Sequence, residues 1–442
     1  MTGHTHPAGL HTDLYEIRMV ESYLRRGMTA PATFSLYIRP TVDRPWFLAL
    51  GVHRVLEALE TFRYDAPALD YLRSVGVEAP TLDWLASFEP SGEVWAVAEG
   101  TIVLGHEPIL EMTAPLPVAQ VLETAVINLI QFPTLVATKA ARIALAAAGR
   151  PVVDFGFRRA HGLETGVEAA LAAHIGGVTA TSNLEAGRRY GIPVVGTMAH
   201  AFVQAFPTEL EAFRAYAEDH PDGTILLVDT YDTVAGVHNA IVVADEMRSA
   251  GRHLRGIRID SGDLDELSRA ARKMLDDAGH TDVQIMASGG LSEVSIAVLV
   301  ERGAPIDAFG VGTDLVVSMD RPAADIAYKL VVYDGRPVAK FSVDKATYPG
   351  AKQVFRRTDP SADVLGLRSE SLPGEPLLAV VWRDGNVLTA FDLDAAKQRA
   401  ADAVSALPTA WKVPAYASPT PVPGVSDALR ALAGSLRSYP DG

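Results

Sequence analysis

One arginine and two aspartates, Arg258, Asp260 and Asp263, stand together where a predicted strand ends. Residues 256–259 form a short apolar run interrupted only by Arg258, and an acidic turn with one glycine follows it. A guanidinium can hold a carboxylate or a phosphate by two parallel hydrogen bonds, and a carboxylate can accept from sugar hydroxyls or bind hydrated magnesium. The pattern therefore indicates a ligand site, although an ordinary salt-bridged loop would have the same composition.

Two glycine motifs follow the last two predicted strands. They are Ser288-Gly289-Gly290 and Gly310-Val311-Gly312-Thr313. Glycines at these positions let backbone N–H groups face a phosphate near a helix N-terminus, as the late loops of α/β barrels do. Glycine also serves tight turns in general, but two such loops in consecutive places favour phosphate binding. A dinucleotide fingerprint is not supported, because Leu315 stands where a third glycine is needed.

His200 follows another apolar run and a Gly-Thr turn that contains Thr197. A histidine there can act as an acid, a base or a nucleophile toward phosphorus, whereas a purely structural, hydrogen-bonded histidine is the alternative. The predicted strand ends carry no lysine, which disfavours a Schiff-base aldolase, the natural rival for a phosphate-binding barrel.

Two further features lie outside these strand ends. Tyr15, near the start of a predicted helix, can stack on a flat ring, although packing is the commoner role of such a tyrosine. A basic run over residues 340–357 includes Lys345 and Lys352. It is either a solvated face or a contact for polyphosphate.

The elements that position these residues alternate regularly. Short apolar runs recur between residues 150 and 310, and segments of helical periodicity separate most of them. This alternation predicts a parallel sheet with outer helices, and its even spacing favours a closed or nearly closed α/β barrel over an open sheet. Hairpins are predicted to turn at Asp334-Gly335 and Asp384-Gly385.

We therefore expect a barrel domain and a second domain from both chain ends. The barrel with the active site is predicted at residues 150–325. Residues 1–149, with long connecting helices, and residues 326–442, ending in a short helix, are predicted to form one α/β domain rich in strands.

Composition excludes several classes of protein. The net charge of −15 argues against general binding of nucleic acid or an anionic membrane. The absence of cysteine excludes disulfides, thiolate metal sites and cysteine nucleophiles. Residues 118–148 are apolar but interrupted by charged residues and Pro133, so a buried helix is expected there rather than a membrane span. The N-terminus lacks an apolar signal core, and the expected compartment is the cytoplasm.

Taken together, six motifs resemble those of the nicotinate phosphoribosyltransferase family. They are Thr12-Asp13-x-Tyr15, Asp154-Phe155-Gly156-x-Arg158-Arg159, Gly196-Thr197-Met198-Ala199-His200, Arg258-Ile-Asp260-Ser-Gly-Asp263, Ser288-Gly-Gly290 and Phe309-Gly-x-Gly-Thr313. The likeness runs from about residue 12 to residue 357, and the residues beyond match less distinctly. It implies an irregular (β/α) barrel and a second domain built from both chain ends.

The resemblance also implies an activity. Such enzymes join nicotinate to phosphoribosyl pyrophosphate and release nicotinate mononucleotide and pyrophosphate, a reaction of NAD salvage. ATP is hydrolysed to ADP and phosphate in the coupled reaction, Mg²⁺ is the metal, and the enzymes are commonly homodimers with shared active sites. Tyr15 and the basic run would then serve the pocket of the neighbouring subunit.

Site residues carried over from the family fall into four groups. His200 would be the histidine that ATP phosphorylates, with Asp260 and Arg258 as the other catalytic groups. Nicotinate would contact Tyr15, Phe155, Ser182, Thr197 and Arg258, with Phe155 stacking on the ring. Phosphoribosyl pyrophosphate would contact Arg158, Asp260, Ser288, Gly289, Gly290, Gly310, Gly312, Thr313, Lys345 and Lys352. Asp229 would hold Mg²⁺ through water.

Two alternatives remain open. Nicotinamide phosphoribosyltransferases are similar but place an aspartate where Ser182 lies, so Ser182 together with Arg258 favours nicotinate. A catalytically silent phosphoribosyl or nucleotide sensor on the same barrel would be expected to lose His200, Asp260 or the glycine motifs, and all of these are present.

Overall fold

The computed structural model describes residues 8–342, 347–414 and 420–437. The chain folds as two compact units. One is built from both chain ends, up to Thr138 and again from Ala323 except for a short segment that begins at Lys412. The other consists of residues Lys139–Pro322 and that segment. The first boundary therefore falls inside a long helix rather than near residue 149.

The N-terminal part of the first unit alternates short strands with helices. These elements are α1 (Leu14–Arg25), β1 (Pro31–Ile38), β2 (Phe47–Ala49), α2 (Val52–Thr61), α3 (Ala66–Ser74), α4 (Ala79–Ala86), β3 (Glu93–Val97), β4 (Thr101–Val103), β5 (Pro108–Pro115), α5 (Leu116–Val121) and α6 (Glu123–Ala146). Helix α6 contains Pro133, and no described helix is long and apolar enough to cross a membrane.

In the second unit, strands and helices alternate as predicted. The elements are β6 (Val152–Asp154), α7 (Leu163–Ile175), β7 (Ala180–Thr181), α8 (Leu184–Tyr190), α9 (His200–Gln204), α10 (Glu209–Asp219), β8 (Ile225–Leu227), α11 (Thr233–Ser249), β9 (Gly256–Ile259), α12 (Leu264–Asp277), β10 (Gln284–Ser288), α13 (Glu293–Glu301), β11 (Ala308–Val311) and α14 (Thr313–Val316).

The C-terminal segment returns to the first unit and is rich in strands. It contains β12 (Ile326–Tyr333), β13 (Arg336–Pro337), β14 (Lys352–Arg356), β15 (Val364–Leu367), β16 (Glu375–Pro376), β17 (Leu378–Arg383), β18 (Asn386–Val387), α15 (Leu393–Ala406), β19 (Gly424–Val425) and α16 (Asp427–Arg437). One-turn 3₁₀ helices lie at Ala8–Leu10, Phe157–Arg159, Pro360–Ala362 and Thr409–Trp411.

Strands from both ends of the chain share the main sheet of the first unit. Its seven strands run in the order β13-β12-β1-β5-β3-β17-β18, and each neighbouring pair is antiparallel. The two predicted hairpins are confirmed, between β12 and β13 and between β17 and β18. Asp334, Gly335, Asp384 and Gly385 all have positive φ, as this type of two-residue turn requires.

The second unit contains a six-stranded parallel sheet in the order β7-β6-β11-β10-β9-β8. A single parallel bridge between Thr181 and Val194 extends it beyond β7. The expected barrel is not shown, because in the described structure no strand pairing joins the segment at Val194 to the edge strand β8. Residues 196–199, which would have to continue that pairing, form a loop instead.

Parallel pairing nevertheless brings the strand ends together. The carboxyl ends of β6, β9, β10 and β11 must lie at one edge of the sheet, where α/β proteins place their ligand sites. Beneath that edge lies a core of buried apolar side chains from the central strands and the helices that cover them, among them Leu226, Ile257, Ile285, Phe213 and Leu275. This core fixes the strands, and therefore the loops that follow them.

Candidate functional site

A cleft of about 680 Å³ lies at the carboxyl edge of the parallel sheet. It is lined entirely by residues of the second unit. The side chains and loops that the sequence singled out and that line it are Phe155, Arg158, Ser182, Thr197, His200, Arg258, Asp260, Ser288, Gly289, Gly290, Gly310, Gly312 and Thr313. Residues more than 150 positions apart in the sequence are thus gathered around one cavity.

The turn after β6 is built around Asp154. Its buried carboxylate accepts a hydrogen bond from the Gly156 backbone at 2.7 Å and another from the Thr181 hydroxyl at 2.8 Å. Burial raises the pKa of Asp154, and these two donors oppose that rise. The next residue, Phe155, lies against Gly310, where an added Cβ would come within 2.5 Å of its ring. Gly310 therefore makes room for the phenyl ring of Phe155 at the cleft wall.

Arg258 is fixed by three acceptors. Its Nη1 donates to Asp260 Oδ1 at 2.9 Å and to Ser288 Oγ at 3.1 Å, and its Nη2 donates to the Met198 carbonyl at 2.8 Å. Its Cζ lies 5.8 Å from the centre of the Phe155 ring. Burial lowers the pKa of Arg258, and the carboxylates of Asp260 and Asp229 oppose that shift. Its Nε is buried and has no acceptor among the described residues.

Asp260 lines the cleft and also forms hydrogen bonds with residues of the neighbouring strand ends. Its Oδ1 accepts from the Ser288 hydroxyl as well as from Arg258, while its backbone N–H donates to Asp229 Oδ2 at 3.0 Å. The same oxygen of Asp229 accepts from Ser261 Oγ at 2.6 Å. Asp229 does not line the cleft and supports the turn from behind. Its Oδ1 is buried and has no hydrogen-bond partner within the described part of the chain.

His200 begins helix α9 at the cleft wall with its side chain 42% exposed. Its Nδ1 lies 3.2 Å from the Thr230 hydroxyl, and its Nε2 lies 3.9 Å from Asp260 Oδ2. The hydroxyl fixes one ring nitrogen, and the other ring nitrogen is on the side of the carboxylate. An accessible imidazole in this position can exchange a proton or a phosphoryl group.

The two glycines of the Ser288-Gly289-Gly290 motif differ in the space around them. Gly289 has a φ of 86°, and a Cβ there would overlap the backbone carbonyl of Asp260. Gly290 also has positive φ, at 64°, but no atom lies within 4 Å of the position that its Cβ would take. Gly289 therefore lets the loop after β10 approach the turn after β9, whereas Gly290 is exposed on the cleft side.

A buried ion cluster that the sequence did not predict lies beside this cleft. Lys139 on α6 contacts Glu293, Asp314 and Asp320, and Arg142 also pairs with Glu293. Burial by itself would lower the pKa of Lys139, but these carboxylates raise it overall. Two signals in the sequence could have found the cluster: a lysine within an apolar helix, and an aspartate directly after Thr313.

Besides Asp229, two predicted site residues, Tyr15 and Lys352, do not line the cleft, and Lys345 cannot be placed. Tyr15 is on α1 of the first unit, 48% exposed, and the cleft within the second unit does not include it. Lys345 lies outside the described residues. Lys352 is 2% exposed, and its Nζ lies 3.1 Å from Glu111 Oε1. This burial is contrary to the prediction that Lys352 binds phosphoribosyl pyrophosphate, because its ammonium already neutralises a buried carboxylate.

Comparison with known proteins adds independent information. The family model described as the nicotinate phosphoribosyltransferase (NAPRTase) N-terminal domain matches residues 10–131, and the model of the NAPRTase family matches residues 151–356. The chain is 47% identical over 410 residues to nicotinate phosphoribosyltransferase pncB2 of Mycobacterium tuberculosis, covering 91% of this chain and 88% of that relative. It is 43% identical to the nicotinate phosphoribosyltransferase of Bacillus subtilis over 357 residues, covering 78% and 72% of the two chains.

The fold is also similar to that of a solved structure of this family. The crystal structure of human nicotinic acid phosphoribosyltransferase superimposes with a TM-score of 0.83 at 27% sequence identity, covering 97% of this chain and all of that chain. The mixed α/β fold is therefore similar to that of the human enzyme.

Proposed function

The chain belongs to the nicotinate phosphoribosyltransferase family, and on that premise we propose that it joins nicotinate to phosphoribosyl pyrophosphate in NAD salvage. The products would be nicotinate mononucleotide and pyrophosphate, with ATP hydrolysed to ADP and phosphate in the same cycle. The observation that carries this proposal is the placement of Arg258, Asp260 and Phe155 in one cleft with two glycine loops. Arg258 and Phe155 suit an aromatic carboxylate, Asp260 suits a ribose, and the glycine loops suit a phosphate.

Arg258 would bind the carboxylate of nicotinate while Phe155 packs against the pyridine ring. Three of its N–H groups are already committed to protein acceptors, which fixes the orientation of the guanidinium before any ligand arrives. Arg258 lines the cleft with its guanidinium already oriented, which supports an anionic acceptor at this place. Thr197 and Ser182 line the same cleft and can donate hydroxyl hydrogen bonds to the carboxylate.

The loops after β10 and β11 would bind the phosphate of the ribose. Gly289, Gly290, Gly312 and Thr313 line the cleft there and present backbone that no side chain covers. Arg158 also lines the cleft, on an exposed 3₁₀ turn, and supplies positive charge for the pyrophosphate. Ser288 is the last residue of β10, and Gly310 lies within β11 directly before its last residue, so both are next to these loops.

Asp260 would accept hydrogen bonds from the ribose hydroxyls. As the bond from the ribose carbon to pyrophosphate breaks, positive charge builds on the sugar, and a nearby carboxylate stabilises that charge. The nitrogen of the pyridine ring attacks with its own lone pair, so no general base is needed. The bond pair of the broken C–O bond leaves with pyrophosphate, and the new C–N bond gives nicotinate mononucleotide.

We propose Mg²⁺ as the metal of this reaction. The unpaired Oδ1 of Asp229 fits such an ion, since a buried carboxylate oxygen needs a donor or a cation. No group of three or more histidine or acidic side chains that could hold a metal is found among the described residues, which favours binding through water and substrate phosphates. When bound, Mg²⁺ would neutralise charge on the leaving pyrophosphate.

His200 is proposed as the residue that ATP phosphorylates. A ring nitrogen would attack the terminal phosphorus, the bond to the bridging oxygen would break, and ADP would leave. Water would later take the phosphoryl group as inorganic phosphate. The exposure of His200 and its distance of 3.9 Å from Asp260 support a link between this step and the ribose site. The enzyme would then be an ATP-coupled ligase as well as a glycosyltransferase.

A homodimer with shared active sites is proposed on the family resemblance. Tyr15, half-exposed on the first unit, and Lys345 would then act on the pocket of a second subunit. The substrates would be small molecules only, since the net charge of −15 does not favour nucleic acid or an anionic membrane. We retain the cytoplasm as the expected compartment.

One assay tests the proposed function. Purified protein with phosphoribosyl pyrophosphate and Mg²⁺ is offered nicotinate, nicotinamide or quinolinate, each with and without ATP, and the mononucleotides are separated by chromatography. We expect nicotinate mononucleotide to be the main product and ATP to increase its yield. Preferred use of nicotinamide would establish the alternative activity, and binding of phosphoribosyl pyrophosphate without any product would indicate a sensor.

The choice of ring is tested by Ser182→Asp. A carboxylate at this position would repel the nicotinate carboxylate, so the KM for nicotinate should rise. Unchanged kinetics with nicotinate would show that Ser182 does not determine the choice of ring.

A further inference from the structure

Lys139 is a buried cation beside the cleft, and the proposed reaction gives it no role. Its side chain is 1% exposed, and its ammonium lies 2.5 Å from Glu293 Oε2, 2.5 Å from Asp314 Oδ2 and 3.0 Å from Asp320 Oδ1. Glu293 accepts in addition from Arg142 Nε at 3.2 Å through its other oxygen. A lysine is buried in this way only when its charge is matched, because desolvating an unpaired ammonium is costly.

The three carboxylates belong to segments that carry the glycine loops. Glu293 is the first residue of α13 and follows the loop that contains Gly289 and Gly290. Asp314 is in α14, directly after Gly312 and Thr313, and Asp320 lies just beyond that helix. A single ammonium therefore links the loop after β10 to the loop after β11.

The charge of this cluster depends on Lys139. Three carboxylates face two cations, Lys139 and Arg142, so these five side chains sum to −1. Without Lys139 the sum would be −2. Asp314 lines the cleft with 20% of its side chain exposed. An uncompensated carboxylate at this position, in surroundings of low dielectric, would repel a bound phosphate.

We propose that Lys139 is a positioning residue for the phosphate site, which holds the two glycine loops together and neutralises Asp314. This inference rests on the proposed function, because it assigns the ribose phosphate of phosphoribosyl pyrophosphate to these loops. Lys139 itself does not line the cleft, so its effect on the substrate is exerted through Asp314 and the loops.

The test uses Lys139→Met, which keeps most of the side-chain volume and removes the charge. Steady-state kinetics and calorimetric titration with phosphoribosyl pyrophosphate are compared with the wild type, and thermal denaturation reports the folded fraction. We expect the Kd and KM for phosphoribosyl pyrophosphate to rise by at least about tenfold, as for loss of one partner of a buried charge pair. The KM for nicotinate should change less, and kcat per folded molecule should change least.

A second variant separates charge from packing. Lys139→Met combined with Asp314→Asn restores the sum of −1 but not the link between the loops, so it should recover the part of the affinity for phosphoribosyl pyrophosphate that was lost through uncompensated charge. Asp314→Asn alone should bind phosphoribosyl pyrophosphate at least as tightly as the wild type does. This single variant still tests the inference if the lysine variants do not fold. Wild-type affinity in Lys139→Met, no recovery in the double variant, or a tenfold loss in Asp314→Asn alone would overturn the inference.

The same experiments distinguish a failure of the inference on Lys139 from a failure of the proposed function. If the wild type binds phosphoribosyl pyrophosphate and forms nicotinate mononucleotide while Lys139→Met does so with unchanged KM, only the inference on Lys139 fails. If the wild type forms no nicotinate mononucleotide, the proposed function fails. In that case titration with ribose 5-phosphate still compares the three variants with the wild type at the same loops, and equal affinities would overturn the inference.

Discussion

The guanidinium of Arg258 donates a hydrogen bond to the carboxylate of Asp260 at 2.9 Å. Arg258 is in β9 and Asp260 directly follows its last residue, so the end of this strand delivers both groups to the cleft. Each group holds the other in place before a ligand is bound. For a reaction whose transition state separates charge, such fixed orientation contributes directly to the rate. The strand end can therefore serve both partners of the bond that is formed.

Gly289 and Gly290 provide a matched pair of substitutions at the turn behind Asp260. Both have positive φ, so alanine should destabilise either position by about 1 kcal/mol through backbone strain. Only at Gly289 would the new methyl overlap the Asp260 carbonyl. We expect Gly289→Ala to reduce kcat/KM for phosphoribosyl pyrophosphate by on the order of 100-fold, since displacing a catalytic group by an ångström has effects of that size. Gly290→Ala should cause a much smaller loss, and equal losses in steady-state assays would argue against this account of the turn.

The proposed phosphorylation of His200 predicts that this residue is needed for the response to ATP. We expect His200→Ala to abolish stimulation by ATP while leaving a slow turnover that does not need it, because the pyridine nitrogen requires no base. The measurements are nicotinate mononucleotide formation with and without ATP, and acid-labile phosphate on the protein after incubation with labelled ATP. His238→Ala, which changes an exposed histidine on α11, is the control. ATP coupling that survives in His200→Ala would refute the proposed role.

Glu107 and Asp363 form a buried acidic pair in the first unit. Burial and then the charge of Asp363 raise the pKa of Glu107 well above its ordinary value of 4.5. At a pH between the ordinary and the raised pKa, the folded protein would therefore keep a proton that the unfolded chain has lost. Since the unfolded state binds fewer protons above pH 4.5, the free energy of unfolding falls as the pH rises from there toward the raised pKa.

Glu107→Gln should remove this dependence, because the amide can still accept from the Leu104 backbone and can donate to Asp363 in place of the proton. Denaturant unfolding across a pH series measures the free energy of unfolding of both proteins. Above the ordinary pKa, the difference in favour of the variant should grow by at most about 1.4 kcal/mol per pH unit. Parallel curves for the two proteins would indicate that Glu107 keeps no proton in the folded state.

Lys352 should matter for stability and not for substrate affinity. Its ammonium is buried with Glu111 and also donates to the Gly350 carbonyl at 2.8 Å. Lys352→Met would leave a buried carboxylate less compensated, and we expect a loss of about 3–5 kcal/mol in the free energy of unfolding. The KM for phosphoribosyl pyrophosphate should not change. Lys340→Met, at an exposed position of the same basic run, should have little effect on either quantity. A raised KM with unchanged stability would restore the role first predicted for Lys352.

Most of the cleft was predictable because its residues follow strands. Apolar runs mark the strands, and parallel strands must end at the same edge, so Arg258, Asp260, Ser288 and Gly312 could be placed together from the sequence. The two hairpins were predictable for a similar local reason, since Asp-Gly favours their turn.

The rest depended on long-range pairing that no local pattern contains. Whether a barrel closes is decided by hydrogen bonds between the segment at Val194 and β8, and the sequence does not specify them. Lys352 looks like a surface lysine until Glu111, 241 residues away, is placed beside it. Lys139 appears only as an interruption of an apolar helix, because its three partners lie in distant loops.

The most direct test of the central claim is a competition between the two pyridines. Purified protein is given phosphoribosyl pyrophosphate, Mg²⁺, ATP and an equimolar mixture of nicotinate and nicotinamide, and the two mononucleotides are quantified during the initial phase. The account predicts nicotinate mononucleotide in large excess, with its yield reduced strongly in Arg258→Gln because the carboxylate loses its partner. Excess nicotinamide mononucleotide, or a yield of nicotinate mononucleotide that is unchanged in Arg258→Gln, would contradict it.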